Sequence, residues 1–286
     1  MVKTDMDGLL IVGLARNCEH SLLNSVKTIS LATASFSHVY WLVIESDSDD
    51  KTVRCLSDIS VNKDNFDFQS LGTLSERFPL RTERIAYCRN MYLSELENNI
   101  KYKDINYLVV ADLDGVNVKL TKEGFDSCWD YKNWDVCTAN QSGPYYDIWA
   151  LRHPVWNPID CWEVNEFYKE FGVSSYYAYL YSVLSKMLVI DKNKDLIRVD
   201  SAFGGLAVYN RRVLTDCCYS GVNVLGNEVC EHVFFHTSLA LKNHANIFIN
   251  PKLINCGFIN HNKFLFPGMR HVLRFKTFLF SLLSKK

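Results

Sequence analysis

No stretch of the chain reaches the roughly 18 consecutive apolar residues that a membrane-spanning helix needs, so hydropathy offers no candidate for one. No excess of one charge exists either: the formal net charge is −1 and the pI about 6.7, so no basic field marks nucleic acid as a partner. Ten cysteines occur without a single Cys-x-x-Cys pair, and zinc-ribbon spacing is therefore absent. Ten thiols would suffice for five disulfides, but residues 1–8 are polar, carry Lys3, Asp5 and Asp7, and do not read as a signal peptide. The expectation is reduced, mostly buried thiols in a cytoplasmic protein. No internal repeat and no low-complexity linker interrupts the chain. With 286 residues, 48% hydrophobic and 22% charged, the composition is that of one large folded domain or two closely packed halves.

What is present is an alternation of short apolar runs and helical patterns. Residues 9–15 and 39–44 are continuous apolar runs, as is 107–111, and each reads as a buried strand. A weaker strand is expected at 66–68. Helical spacing covers 19–34, 51–60 and 81–98. The second half is less regular: it is aromatic-rich from 129 to 181, with a strand expected over 202–209, a helix over 231–242 and a late strand at 247–249. Strands separated by helices predict βαβ units and an α/β fold with a mostly parallel sheet flanked by helices. Ligands bind such sheets beyond the carboxyl ends of the strands. The loops after residues 15, 45 and 111 therefore belong to one candidate site.

The third of those loops holds Asp112-Leu113-Asp114. Two carboxylates at i and i+2, leaving a buried strand, supply hard oxygen ligands suited to Mg²⁺ or Mn²⁺, with a diphosphate filling other coordination positions. A cation there would offset charge on a leaving nucleoside diphosphate. The hexapeptide 112–117 also resembles the nucleophile motif of haloacid-dehalogenase-type phosphatases, in which the first Asp attacks phosphorus. Those enzymes carry the motif on their first strand, whereas here about a hundred residues of βα pattern precede it. A phosphatase or nucleotidyltransferase using Asp112 and Asp114 stands as the alternative function.

The order of features resembles the GT-A-fold nucleotide-sugar glycosyltransferases, most of all capsule- and lipopolysaccharide-type transferases including the capsule-associated mannosyltransferase group. The segments that carry the resemblance are 12–17, 45–52, 84–90, 112–114, Phe203-Gly204-Gly205 and Cys230-Glu231-His232. The resemblance implies that Ala15 and Arg16 touch the nucleotide and that Glu45 with its acidic run reads the base or ribose. It implies that Arg84 or Arg89 reaches the donor phosphates. Asp112 would contact ribose or metal and Asp114 the metal itself, with His261 as a late ligand. Glu231 would be the base that deprotonates the acceptor hydroxyl, with His232 beside it where the family has a second acidic residue. Gly204 and Gly205 would let the backbone approach the donor sugar. Between 134 and 152, aromatic rings beside amides and carboxylates suit a sugar, and Asp147, Trp149 and Arg152 are the wall residues.

The implied cofactors are Mn²⁺ or Mg²⁺ and a UDP- or GDP-sugar, and the implied acceptor is a glycan or lipid-linked glycan. Residues 1–265 form the transferase domain, with 1–118 as nucleotide-binding half and 119–265 as acceptor and catalytic half. The tail 266–286 is basic and amphipathic. Its last 17 residues mix Phe and Leu with Arg270, Arg274, Lys276, Lys285 and Lys286, the composition of a segment attracted to an anionic membrane surface. A cytoplasmic location with peripheral membrane contact is expected.

Overall fold

In a computed structural model, residues 8–259 are described. Thus His261 and the tail 266–286 lie outside the described residues. The architecture is a mixed eight-stranded sheet with helices on both faces, as the alternating pattern predicts.

The first half is built of βα units. β1 (Gly8–Ala15) leads to α1 (Leu22–Ala32), β2 (His38–Glu45) to α2 (Thr52–Asn62), and β3 (Phe66–Ser70) to α3 (Arg81–Asn98) before β4 (Ile105–Ala111). β1 is apolar throughout because both of its faces are covered. Leu10 and Val12 join a core with α3, while Leu9 and Ile11 join a second core with α1 and α2. The second half supplies α4 (Lys122–Asp126), β5 (Val136–Gln141), α5 (Cys161–Glu170), α6 (Ser175–Ser182), β6 (Ile197–Arg198), β7 (Leu206–Asn210), α7 (Glu231–Asn243) and β8 (Ile247–Cys256).

The strand order is β3-β2-β1-β4-β7-β5-β8-β6. β1, β2, β3 and β4 pair in parallel, and β5 pairs in parallel with β8. β7 runs antiparallel between β4 and β5, and β6 antiparallel at the far edge. The sheet thus carries strands from both sides of the expected boundary at 118. Reversal of β7 has a consequence for chemistry: its amino end, not its carboxyl end, meets the carboxyl end of β4, in the register Ala111↔Leu206. Gly204 and Gly205 are thereby set beside Asp112.

The expected strand over 202–209 begins at Leu206 instead. Gly204 and Gly205 take positive φ of 69° and 87°, a region that interrupts pairing and favours glycine. β5, α5 and α6 had no distinct sequence signature among the aromatics. Strand β5 reads Val-Cys-Thr-Ala-Asn-Gln and is buried throughout although its last two residues are amides. All ten cysteines are free, and none of the helices among the described residues is long and apolar enough to cross a membrane.

Candidate active site

The carboxyl ends of β1, β2 and β4, the amino end of β7 and the amino ends of α3 and α7 surround a cleft of about 970 Å³. Its lining includes Ala15, Arg16, Arg84, Arg89, Asp112, Asp114, Asp147, Trp149, Glu231 and His232. Ten of the residues singled out from sequence are therefore brought to one cavity. Glu45, Gly204, Gly205 and Arg152 are not part of that lining.

Arg89 is the centre of the arrangement. It projects from the middle of α3 and is buried, with only 5% of its surface exposed. Its Nε donates to Glu231 Oε1 at 3.2 Å, one Nη lies 4.0 Å from Asp112 Oδ1, and the other donates to the Tyr92 hydroxyl at 3.3 Å. The guanidinium also lies over the Phe203 and Tyr219 rings at 5.3 and 5.5 Å. Burial opposes its charge, but Tyr92, Glu231, Tyr219 and Asp112 together outweigh burial and hold it well above its usual range. One cation thus joins the carboxylate at the end of β4 to the carboxylate that opens α7, where the helix dipole also favours negative charge.

Asp112 keeps 39% of its side chain open, but that opening is the floor of the cleft. Desolvation there, then the adjacent Asp114 charge, push its carboxyl from the ordinary 3.8 up to about 8, against the pull of Arg89. A carboxyl forced upward by a second carboxylate is a site short of positive charge. Asp114 Oδ1 accepts from Val116 N at 3.2 Å, closing the turn that aims both acids into the cleft. No three potential metal-binding groups converge among the described residues. The pair therefore fits a divalent cation held jointly with phosphate and water oxygens better than one caged by protein alone.

A buried amide network fixes this turn. Asn117 Nδ2 donates to the carbonyls of Asp112 (2.8 Å) and Gly205 (3.1 Å), and Asn255 Nδ2 donates to Asn117 Oδ1 (2.8 Å) and the Gly204 carbonyl (2.7 Å). Asp112 N donates to the Gly205 carbonyl at 3.0 Å. A Cβ on Gly205 would stand 2.8 Å from the Tyr146 hydroxyl and from Val116, and one on Gly204 2.9 Å from the Ala139 carbonyl. The glycines are accounted for by φ and by packing against β5 and the Asp112 turn. Asp147 accepts from Gly204 N at 2.9 Å, so this carboxylate holds the same crossing from the cleft side.

Glu45 is buried and accepts from Ser48 N at 3.0 Å and from the Ser70 hydroxyl. Its carboxylate shapes the loop after β2, and Asp47 is the acid of that run that lines the cleft. Asp47 sits at φ 59°. Burial pushes its carboxyl up, but the Ser75 amide and hydroxyl, the Ser46 hydroxyl and Arg84 more than compensate and hold it below the ordinary range. Arg16 Nε donates to the Asp47 carbonyl at 3.3 Å. Arg84 lies 3.9 Å from Asp47 Oδ2 and donates to the Phe78 and Pro79 carbonyls. Arg81 lines the same wall. The acidic run was visible in sequence, but not which member faces the cleft. Arg81 and Asn255 carried no signal at all.

His232 is 3% exposed and stacks on Phe203 at 3.8 Å. Its Nε2 lies 3.7 Å from Glu231 Oε1, beyond hydrogen-bond reach, and neither ring nitrogen has a hydrogen-bond partner. Burial, then Arg89 and His236, hold it well below its usual range, as the neutral imidazole. At the other end, Trp149 Nε1 donates to Asp160 at 3.0 Å, and Arg152 pairs with the same carboxylate at 2.5 Å while donating to the Trp149 and Leu151 carbonyls. Arg152 supports Trp149 from behind and is not itself on the cleft surface. Trp162 and Tyr179, stacked at 6.1 Å, extend the aromatic wall.

No family model matches the sequence, and no curated protein does. Among solved structures the chain is similar to the mannosyltransferase PcManGT of Pyrobaculum calidifontis in complex with GDP-Man and Mn²⁺, with a TM-score of 0.49 and 10% identity over 87% of this chain and 56% of that one. It is similar to S. aureus TarS 1–349, with a TM-score of 0.49 and 13% identity over 85% of this chain and 57% of that one. It is also similar to glucosyl-3-phosphoglycerate synthase of Mycobacterium tuberculosis in complex with UDP, with a TM-score of 0.40 and 10% identity over 88% and 69% of the two chains. This chain spans a little over half the length of the first two.

Proposed function

We propose that this protein is a metal-dependent glycosyltransferase that moves a sugar from a nucleoside-diphosphate sugar to a hydroxyl of a glycan or lipid-linked acceptor. The observation that carries the reading is the buried Arg89, shared between Asp112 at the end of β4 and Glu231 at the start of α7. Arg16, Arg81 and Arg84 line the same cleft and suit phosphate oxygens, to which a guanidinium can donate two parallel hydrogen bonds. Asp112 and Asp114 would hold Mn²⁺ or Mg²⁺, which when bound supplies positive charge against a diphosphate leaving group.

The chain's own groups then divide the work. The loop after β1, with Ala15 and Arg16, and the loop after β2, with Asp47, hold the nucleotide. Trp149 and Asp147 form the sugar wall. Glu231 takes the proton of the acceptor hydroxyl, and Arg89 fixes the orientation of that carboxylate. His232, neutral and stacked on Phe203, keeps the space beside Glu231 free of a competing charge.

The test is the thermal stability of the protein against UDP-, GDP-, CMP- and TDP-sugars, each with Mn²⁺ and with EDTA. A rise in melting temperature with one nucleotide class, lost in EDTA, is the expected outcome. No shift with any donor, joined to hydrolysis of a generic phosphomonoester, would establish the phosphatase reading of Asp112 and Asp114 instead.

A further inference from the structure

α7 carries two buried histidines one turn apart, His232 and His236, whose surroundings differ. His236 is fully buried and lies outside the cleft lining. Both of its ring nitrogens are occupied, Nδ1 at 2.9 Å from the Ser201 hydroxyl and Nε2 at 2.9 Å from the Tyr209 hydroxyl. His232 is equally enclosed at 3% exposure, yet it lines the cleft and neither of its nitrogens has a partner. Buried polar groups are nearly always hydrogen-bonded, and one left unpaired costs stability. Packing does not account for these two nitrogens. The ring stacks on Phe203 at 3.8 Å and meets Tyr219 edge-on at 5.7 Å, contacts that a phenyl ring would make as well.

The neighbours narrow down what pairs with them. The Arg89 guanidinium lies over the same Phe203 ring at 5.3 Å, which disfavours an ammonium group. Glu231 Oε1 lies 3.7 Å from His232 Nε2, which disfavours a carboxylate or phosphate oxygen. A neutral imidazole presents one donor and one acceptor, and a hydroxyl matches it because it both accepts and donates. The 3.7 Å gap between Nε2 and Oε1 is too long for a direct hydrogen bond. It still allows a single oxygen to stand within hydrogen-bond distance of both atoms, accepting from Nε2–H and donating to the carboxylate.

We propose that His232 is a contact residue for the acceptor, whose Nε2–H holds the attacking hydroxyl oxygen while Glu231 takes the hydroxyl proton. This rests on the transferase reading. One lone pair of the oxygen accepts from His232, and the other forms the bond to the anomeric carbon. The bond from that carbon to the diphosphate oxygen breaks, its electron pair leaving with the diphosphate, and the proton passes to Glu231. His232 orients the oxygen and exchanges no proton itself.

The experiment measures nucleoside-diphosphate release from the donor that raises the melting temperature of the full chain, with water as the hydroxyl in the site. Wild type is compared with His232→Phe, His232→Gln and His236→Phe. Phe keeps the stack on Phe203 and removes both nitrogens, whereas Gln can bring an amide N–H to the place of Nε2. Loss of one hydrogen bond to the attacking oxygen should slow release roughly tenfold in His232→Phe. Gln should restore most of it, and the donor-induced melting shift should persist in both. His232→Phe should melt no more than about 2 °C below wild type, since it leaves no partner unpaired. His236→Phe strands Ser201 and Tyr209 and should melt well below it. Unchanged release in His232→Phe would overturn the proposal, and so would an equal loss in the Phe and Gln variants. A loss of release accompanied by loss of the donor-induced shift would also overturn it, since the ring would then support the donor site. Failure of the transferase reading is separate and visible in wild type, as the absence of a melting shift with every donor, and it would take this inference with it.

Discussion

The two ends of the cleft are built on different principles. The end that holds Arg16, Arg89, Asp112 and Glu231 stands on strand termini and helix starts, so its groups are placed by the sheet. The end formed by Trp149, Trp162 and Tyr179 stands on a helical hairpin and a loop inserted between β5 and β6. Charge concentrates at the first end and aromatic surface at the second. On the proposed reading this division suits the reaction, because a charged nucleotide would meet the end placed by the sheet and a variable acceptor the end made of loops and insertions, which change without disturbing a sheet.

The largest effects should come from breaking the charged end. Asp114→Ala should remove metal-dependent turnover by about a thousandfold or more, together with the metal-dependent melting shift. Glu231→Gln should lower turnover by about a hundredfold or more while leaving the donor-induced melting shift intact. The contrast is the point: one variant loses binding and chemistry, the other chemistry alone. Measuring both quantities on both variants checks it. If Glu231→Gln kept full turnover, Glu231 would be a partner of Arg89 and not a base.

The same division governs what could be read in the sequence. Asp112 and Asp114 were legible because a continuous apolar strand delivers them to a known edge of a parallel sheet. Arg89 was legible as a candidate only, since helical spacing cannot say that α3 turns it inward onto Phe203 and Tyr219. Glu45 was expected to read the base or ribose but lies buried outside the cleft lining, and the sequence could not show this because an acidic run looks alike at every position. The left-handed turn at Asp47 decides which acid enters the cleft. β5 was hidden, since a strand ending in Asn140 and Gln141 breaks the apolar signature; buried, Asn140 donates to the Pro251 carbonyl and Gln141 to the Gly204 carbonyl. The hairpin α5–α6 was unreadable for a related reason: its aromatic residues are distributed around both helices, so no single apolar stripe announces a buried face.

A smaller effect sharpens the comparison through the backbone. Gly205 and Gly226 both have positive φ, 87° and 81°. A Cβ at Gly205 meets Tyr146 and Val116 at 2.8 Å, whereas one at Gly226 meets nothing within 4 Å. Gly226→Ala should therefore cost only the left-handed strain, about 1 kcal/mol. Gly205→Ala should add overpacking of roughly 1–3 kcal/mol and displace the Asp112 turn, so metal affinity falls with stability. Denaturant melts of the two variants separate strain from crowding. Equal destabilisation would show that the β7 entry yields freely and is not a rigid support of the carboxylates.

The smallest effect is a pH profile that the charged end alone should bend. In metal-free protein Asp112 has its carboxyl raised to about 8, so the folded state binds a proton that the unfolded chain releases near the ordinary carboxylate range. Stability from this group is present at low pH and is lost as pH rises toward about 8. His232 and His236 act oppositely. Both are held neutral by burial, His236 with its value lowered to about 3, so the unfolded chain takes up protons on them below about 6.5 and stability falls as pH falls. Two histidines outweigh one carboxyl below that point. Above it Asp112 acts first, and toward pH 8 it is joined by the thiols of Cys18, Cys88, Cys137, Cys161, Cys230 and Cys256, all raised by burial. Metal-free stability should then peak near neutrality, and Asp112→Asn should remove the decline just above neutrality, before thiol ionisation begins, while leaving the acid limb. Adding Mn²⁺ should also remove it, since a cation takes the place of the proton. Melting curves across that range in EDTA and in Mn²⁺ provide the check: a decline that persists in Asp112→Asn would assign the basic limb to another group and leave Asp112 an ordinary ionised carboxylate.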